Sequence, residues 1–383
     1  MRVLLTGLTT RAIAESAVRA GCDVVTVDYF GDLDTKRLCH NASLRERGHG
    51  YSAAALARVA RELPYDAVAY CGGLENHPEA VAALAEGKVL LGNAPETLRG
   101  VRDPAILFPF LAARGFAAPE TITAGQAAAG PLPATGQWLL KPVASGGGHG
   151  IRAWRGEPPG PRHVLQEYMA GVPASAVFVA DGRQAVVLGW SEQLHAPTVF
   201  RYGGNVLPLE APAPTLEELR LLIQALTDRF GLIGLNGVDF VLQASRPAVV
   251  EVNPRYSASM ELVERATGVS MFALHLAACR GRLPEPSLAH AALHAGASSG
   301  FHGKAIVYAP RSVAVTASLE WLDRGARDVP HPGDVIRKGR PICTVLAEGS
   351  SRAACLAALR AEEAEILAAS TPCAPEPGAE DGH

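Results

Sequence analysis

Apolar residues fall in short blocks whose spacing changes along the chain. Arg2 to Thr6, with a short apolar run at its centre, predicts a buried strand, Gly7 to Thr10 a turn, Arg11 to Ala20 a helix stopped by Gly21, and Val24 to Val27 a second strand. A strand at Asp66 to Tyr70, a helix around Pro78 to Glu86 and a strand at Val89 to Leu91 continue the alternation. Strands alternating with helices predict an open parallel sheet, here closing near Asn93.

Beyond a helix at about Pro104 to Arg114, the Ala-, Gly- and Pro-rich stretch Ala127 to Gly136 reads as a loop. The pattern then becomes strand-rich, with strands expected at Gln137 to Lys141, His163 to Glu167, Ala176 to Ala180 and Ala185 to Leu188. Thr215 and Glu218 have the spacing of a capping box, and Leu219, Leu222, Ile223, Leu226 and Phe230 line one face of the helix that follows, closed by Gly231. A hairpin and a helix come next, then short strands from Leu283 and a final helix near Arg352 to Ala369. Ser370 to His383 is polar and Pro-containing and is expected to be disordered. The expected fold is mixed, α/β and α+β, divided at 1–98, 99–282, 283–369 and a tail 370–383.

Composition narrows the class. The chain has 383 residues, 48% hydrophobic and 19% charged, the profile of a globular protein of two or three lobes. A formal charge of -3 without a basic stripe argues against a nucleic-acid partner. No stretch approaches a membrane span, and the opening residues lack the apolar region of a signal peptide. The seven cysteines are scattered with no C-x-x-C, so the chain is expected to be cytoplasmic, without disulfides or a zinc ribbon. Nothing in the sequence fixes an oligomeric state, which leaves a homodimer open.

Asn236 to Arg255 carries the most chemistry: two apolar strands flank a turn at Ala244 to Arg246. A hairpin symmetric about Ser245 places Asp239 opposite Glu251, with Asn253 on the same face. Opposed like charges destabilise a sheet, so the pair calls for a cation, and two carboxylates with an amide oxygen suit Mg²⁺ (or Mn²⁺) held against nucleotide phosphates. On this reading, Glu251→Gln relieves repulsion and leaves metal-free stability level or higher. Trp138 to Lys141 is a strand that runs into Ser145-Gly146-Gly147-Gly148-His149-Gly150, where successive glycines can turn N–H groups toward an anion and Lys141 can meet phosphate. The run is neither a Walker A loop nor a dinucleotide turn. The strand end Gln166-Glu167-Tyr168-Met169 could read an adenine edge.

The order of these segments, Lys and glycine loop, then hinge, then Asp…Glu-x-Asn, resembles the ATP-grasp superfamily of carboxylate–amine ligases. Gly-Val-Asp-Phe-Val, Glu-Val-Asn-Pro-Arg and Gln-Glu-Tyr-Met-x-Gly are most similar to a predicted ATP-dependent carboligase group related to biotin carboxylase. Some of its members are associated with tetrahydromethanopterin-linked one-carbon metabolism, which brings methanopterin- or methanofuran-type cofactors among the implied substrates. The resemblance implies a Rossmann-like first domain, a two-lobed ATP-grasp domain and a small C-terminal α/β region. It further implies that ATP is bound by Lys141, by Ser145, Gly146, Gly147, Gly148, His149 and Gly150, and by Gln166, Glu167 and Met169. Metal would be held by Asp239, Glu251 and Asn253, with Arg255 and Lys141 catalytic. The first domain of such proteins commonly contributes to the acceptor site, so Thr9, Thr10, Arg11, Asp28 and the Cys71 to Glu75 loop, Glu75 in particular, are candidate substrate contacts or structural residues.

Two departures stand out. Arg102-Asp103-Pro104 replaces the usual Asp-Lys pair, so Arg102 either substitutes for the Lys or that contact is missing. Val172 to Ser175 stand where a ribose-binding Glu is usual. The histidines add little: His290 and His294 have helical i,i+4 spacing without a third ligand, and His275 is expected to pack on a helix. Three functions remain open: an ATP- and Mg²⁺-dependent ligase forming an acyl phosphate and coupling it to an amine, a carboxylate kinase or biotin-carboxylase-like enzyme, and a non-catalytic nucleotide-binding regulator.

Overall fold

A computed structural model describes residues 1–197, 200–244, 246–285 and 300–373. Ser245, His290, His294 and the tail from residue 374 lie outside them. Five strands, β1 (Arg2–Thr6), β2 (Asp23–Asp28), β3 (His40–Ser43), β4 (Ala67–Tyr70) and β5 (Val89–Leu90), form a parallel sheet in the order β3-β2-β1-β4-β5. Val3, Leu4 and Leu5 are fully buried, as a strand covered on both faces requires. Strand order reverses between β1 and β4, and a doubly wound sheet opens a crevice at the carboxyl ends of its strands at such a point. Gly7 and Cys71 meet there, where a Cβ on Gly7 would lie 2.4 Å from the Cys71 sulfur.

The next four strands, β6 (Thr121–Thr123), β7 (Trp138–Pro142), β8 (Arg152–Ala153) and β9 (His163–Glu167), form an antiparallel sheet in the order β6-β9-β7-β8. The remaining ten are β10 (Val172–Asp181), β11 (Ala185–His195), β12 (Tyr202–Leu207), β13 (Ile233–Gln243), β14 (Arg246–Asn253), β15 (Phe301–Tyr308), β16 (Val313–Ala314), β17 (Val335–Ile336), β18 (Pro341–Gly349) and β19 (Thr371–Pro372). Seven of these build the central antiparallel sheet, β14-β13-β10-β11-β12-β15-β18, so strands on both sides of residue 283 belong to one sheet.

The central sheet is covered differently on its two faces. Helix Ala213–Phe230 packs Leu219, Leu222, Ile223 and Leu226 against Phe178, Trp190 and Phe240 on one face. On the other, Val177, Val179 and Leu235 meet helices Met260–Thr267 and Met271–Ala278 and the β1–β4 region. Alternate residues of β10 therefore face opposite layers, as a period of two demands.

Three local expectations are corrected. The long helix starts at Ala213 with Pro212 at its N-cap, so Thr215 lies inside the first turn and Glu218 pairs with Arg246 at 3.2 Å instead of forming a capping box. Pro214, in the first turn, has a φ already suited to the helix and no N–H that needs a cap. Ala127 to Ala129 belong to a short helix, Ala124–Ala129, because Thr123 and Gln126 make the capping box that the composition obscured. At the C-terminal end Thr371–Pro372 is paired with Val313–Ala314 rather than disordered, so order extends into the first residues of the expected tail.

His275 ties three elements together. Its Nδ1 accepts from Leu235 N at 2.9 Å and its Nε2–H donates to Leu91 O at 3.2 Å, an arrangement only the neutral ring can make. Burial pushes its pKa down to about 4. The folded value lies below the unfolded one, so its contribution is complete above pH ~6.5 and is lost as pH falls toward 4. Between pH 6.5 and 5 this group is expected to remove about 2 kcal/mol of stability. Urea midpoints at the two pH values check it: His275→Gln should start lower and show a flatter profile, and equal slopes for both proteins would count against the assignment.

Candidate active site

The β13–β14 hairpin positions the two carboxylates, by a different route from the one the sequence suggested. Pairing from the turn runs Gln243↔Arg246 to Phe240↔Val249, then shifts at a β-bulge so that Asp239 pairs with Glu251 and Gly237 with Asn253. A two-residue turn alone would set Asp239 against Val250; the bulge inserts one residue and restores the opposition. Bulges commonly re-aim side chains at functional sites.

The two acids are not equivalent. Arg102 Nη1 donates to Glu251 Oε1 at 2.6 Å, and Lys141 Nζ lies 3.4 Å from Oε2. Burial alone would raise the Glu251 pKa, yet Arg102 and then Lys141 hold it down to about 2. Asp239 accepts from Gln193 Nε2 and Asn253 Nδ2, both at 2.9 Å. Burial, then Glu251, push its pKa up to about 6. Arg102 also bonds Asn76 Oδ1 at 2.8 Å and Ser145 O at 3.3 Å. It thus stands inside the cluster, where the sequence left its contact open.

Arg255 crosses between lobes. Its Nη2 donates to Asn253 Oδ1 and its Nε to Glu75 Oε1, both at 2.9 Å, and the Glu75 side chain is fully buried. Next to this cluster lies a shallow cleft, about 40 Å³ in volume and partly open to solvent. Val101, Leu107, Phe108 and Val164 give it apolar walls, with Gln166, Lys141, Arg102 and Glu251 as its polar members. A mostly apolar cleft with a few convergent polar groups is the usual form of a small-molecule site. Glu167 and Met169 follow Gln166 but do not line this cleft; Glu167 accepts from Glu120 N at 3.3 Å.

The glycine loop is clasped from the far side. Gly148 has φ +76°, and a Cβ there would sit 1.7 Å from Phe200 O, so no other residue fits. Tyr202 N donates to Gly147 O at 3.1 Å, and Arg201 Nη2 contacts His149 Nε2 at 2.7 Å. Burial, then Arg201 and Arg340, lower the His149 pKa.

Of the first-domain candidates, Thr9 is exposed at the crevice, with its Oγ1 3.5 Å from Asp328 Oδ1. Thr10 is buried and bonds Asp28 at 2.6 Å, and Arg11 is 1% exposed with its donors taken up by Glu261 and Asp328. The sequence reading missed Asn76, Gln193, Glu261, Lys304 and Asp328. It also missed a polar stripe on the central sheet, where Ser175 bonds Ser191 and Asn205 bonds Ser191, both at 3.0 Å. Buried hydroxyls in otherwise apolar strands were the available signal.

The donor set suits a hard cation. Asp239 and Glu251 are cross-strand partners that each carry a carboxylate, and Asn253 would add its oxygen by rotating an amide that now offers nitrogen to Asp239 and oxygen to Arg255. Among the described residues no helix is long and apolar enough to cross a membrane.

Residues 103–259 match the family model of the ATP-grasp domain. An uncharacterized protein of Methanocaldococcus jannaschii is 22% identical over 91% of this chain and 88% of its own length. The biotin carboxylase domain of Hydrogenobacter thermophilus 2-oxoglutarate carboxylase, a structure in complex with MgADP, ADP and bicarbonate, has a TM-score of 0.71 at 15% identity over 94% of this chain and 89% of that one. L-amino acid ligase from Bacillus licheniformis has a TM-score of 0.65 at 17% identity over 95% and 97%. Against a larger enzyme the likeness is to a part: the chain covers 37% of a Rhizobium etli pyruvate carboxylase chain, with a TM-score of 0.70 at 16% identity over 94% of this one. Residues 103–259 are therefore similar to an ATP-grasp domain, and the chain shares its overall fold with a biotin carboxylase domain and an amino acid ligase.

Proposed function

We propose that the protein is an ATP- and Mg²⁺-dependent ligase that activates a carboxylate as an acyl phosphate and joins it to an amine. The observation that carries this reading is the Asp239–Glu251 pair, set among Lys141, Arg102 and Arg255 at the edge of the cleft that Gln166 lines. Gln166 and the apolar walls bind the base of ATP, while Lys141, Arg102 and the glycine loop hold its phosphates. Asp239, Glu251 and Asn253 hold magnesium, which neutralises phosphate charge when bound.

A carboxylate oxygen of the first substrate attacks the γ-phosphorus, the bond to the β-phosphate oxygen breaks, and ADP leaves. The amine nitrogen then attacks the acyl carbon, the carbon–oxygen bond to phosphate breaks, and the amine proton passes to solvent. Arg255 stands where its planar fork can stabilise the acyl phosphate, held on one side by Glu75 and on the other by Asn253. Fixed donors aimed at developing charge need no nucleophilic side chain.

Incubation with ATP, Mg²⁺ and a matrix of carboxylates and amines is expected to release ADP only when both partners are present. Lys141→Met should reduce that release by about 10²-fold or more, the usual effect of removing one electrostatic contact to a developing charge. ADP release driven by bicarbonate without an amine would move the assignment to a carboxylase. Tight ATP binding with no turnover on any pair would make the protein a regulator.

A further inference from the structure

Given a nucleotide in the cleft, a reading on which this inference rests, one amide decides the base. Gln166 lines the cleft from β9, and its cross-strand partners are Thr121 on β6 and Leu139 on β7. Paired residues of an antiparallel sheet share a face, so Thr121 stands beside Gln166. Thr121 itself does not line the cleft. Gln166 is 4% exposed, so its amide is held in a confined place.

Two hydrogen bonds fix which way that amide points. Gln166 Nε2 donates to Thr121 Oγ1 at 3.2 Å, and Thr121 Oγ1 donates to Pro119 O at 3.1 Å. A hydroxyl has one hydrogen, and a carbonyl oxygen only accepts. With that hydrogen given to Pro119, the hydroxyl has only lone pairs left for Gln166, and the amide must turn its nitrogen toward them. The reverse orientation sets the amide oxygen against those lone pairs, or takes the donor away from the carbonyl of buried Pro119. Either outcome leaves polar atoms unsatisfied in a buried setting, which is the costly side of hydrogen bonding.

The orientation leaves an acceptor for the cleft. Gln166 Oε1 has no hydrogen-bond partner among the described residues, and the other polar members of the cleft, Arg102, Lys141 and Glu251, are charged and bonded to one another. Leu107, Phe108 and Val164 can cover the faces of a flat ring but cannot read its edge. An acceptor at a fixed place selects an edge that carries a donor. Adenine has an amine at position 6, whereas guanine has a carbonyl oxygen there. An amide free to turn over would serve either base, since it carries a donor at one end and an acceptor at the other.

We propose that Thr121 is a positioning residue that makes the site selective for 6-amino purines. It holds the Gln166 amide with Oε1 toward the amine of adenine, and a 6-oxo purine then meets acceptor with acceptor.

Calorimetric titration of the full chain with the magnesium complexes of ATP and inosine triphosphate tests this. Inosine triphosphate carries the 6-oxo group without the 2-amino group of guanine, so a clash with the latter does not enter. Wild type is expected to bind ATP about 10–100-fold more tightly. Thr121→Val keeps the shape of the side chain and removes the hydroxyl, and the ratio should approach unity, with inosine triphosphate binding more tightly than it does to wild type. Thr121→Ser returns the hydroxyl and should restore the preference. A purely structural role for Thr121 would weaken both nucleotides together and leave the ratio unchanged. The proposal is overturned by equal binding of the two nucleotides to wild type, by an unchanged ratio in Thr121→Val, or by a lost preference in Thr121→Ser. ATP binding without preference sinks this proposal alone, whereas a chain that binds neither nucleotide sinks the nucleotide reading and this proposal with it.

Discussion

Glu251→Gln is expected to abolish ADP formation and, in the absence of metal, to melt below wild type, whereas Asp239→Asn should also abolish turnover but melt above it. The first half follows from the proposed function, because an amide keeps the shape of the side chain but removes the charge that would hold magnesium against phosphate. The second half reverses what the sequence implied for Glu251. Repulsion between opposed acids is real, but Arg102 and Lys141 both lie against Glu251, so the cost falls on Asp239.

The linkage signs follow from the two pKa values. Glu251, held down to about 2, contributes stability that is present above the unfolded value and lost as pH falls toward 2. Asp239, pushed up to about 6, is easier to keep protonated in the fold, so it costs stability as pH rises from about 4 through 6. At pH 7 a two-unit shift corresponds to roughly 2–3 kcal/mol in each direction. Melts of wild type and both variants at pH 7, with and without Mg-ATP, give the comparison. The wild type alone should gain from ligand. If Glu251→Gln melts at or above wild type without metal, the ion-pair account of the site is wrong.

Arg11→Met is expected to destabilise the protein by about 3–5 kcal/mol, or to prevent folding, because it leaves Glu261 and Asp328 as buried charges short of a partner. Arg11 is 1% exposed and links the first helix to helix Met260–Thr267 and to the Asp328 loop. Pairing with Glu261 and Asp328 raises its pKa despite the burial that works the other way. Urea unfolding of Arg11→Met and of an Arg11→Lys control measures the cost, with the lysine variant recovering part of it. A variant with wild-type stability and weakened amine binding would instead make Arg11 a substrate contact.

Much of the site was legible because it lies within short sequence distance. Asp239, Glu251, Asn253 and Arg255 share one hairpin, where strand period alone sets their common face. Even there the sequence arrived at the right opposition through a symmetric turn, while the structure reaches it through a bulge at Asp239/Phe240 that no composition signal marks. Short polar elements escaped notice: helix Leu33–Leu38 and strand His40–Ser43 have little apolar periodicity and exist because they dock on β2 and on the Asp328 loop. The contacts of Arg102 with Glu251, of Arg255 with Glu75 and of Arg11 with Asp328 join residues separated by 149, 180 and 317 positions. No local pattern encodes such pairings.

What the sequence by itself determined was the periodic part: a parallel βαβ opening, a long amphipathic helix ended by Gly231 in the left-handed conformation, and a hairpin with two acids on one face. Those features depend on backbone geometry repeated every two or 3.6 residues, which a single strand of text records. Only the tertiary structure decided how charge is shared. It gave Glu251 two cations and Asp239 two amides, spent Arg11 and Lys304 on Glu261, and left the buried Oδ2 of Asp32 without a hydrogen-bond donor. Charge balance in a low-dielectric interior is set by which side chains from distant segments come within a few ångströms, and that is a property of packing.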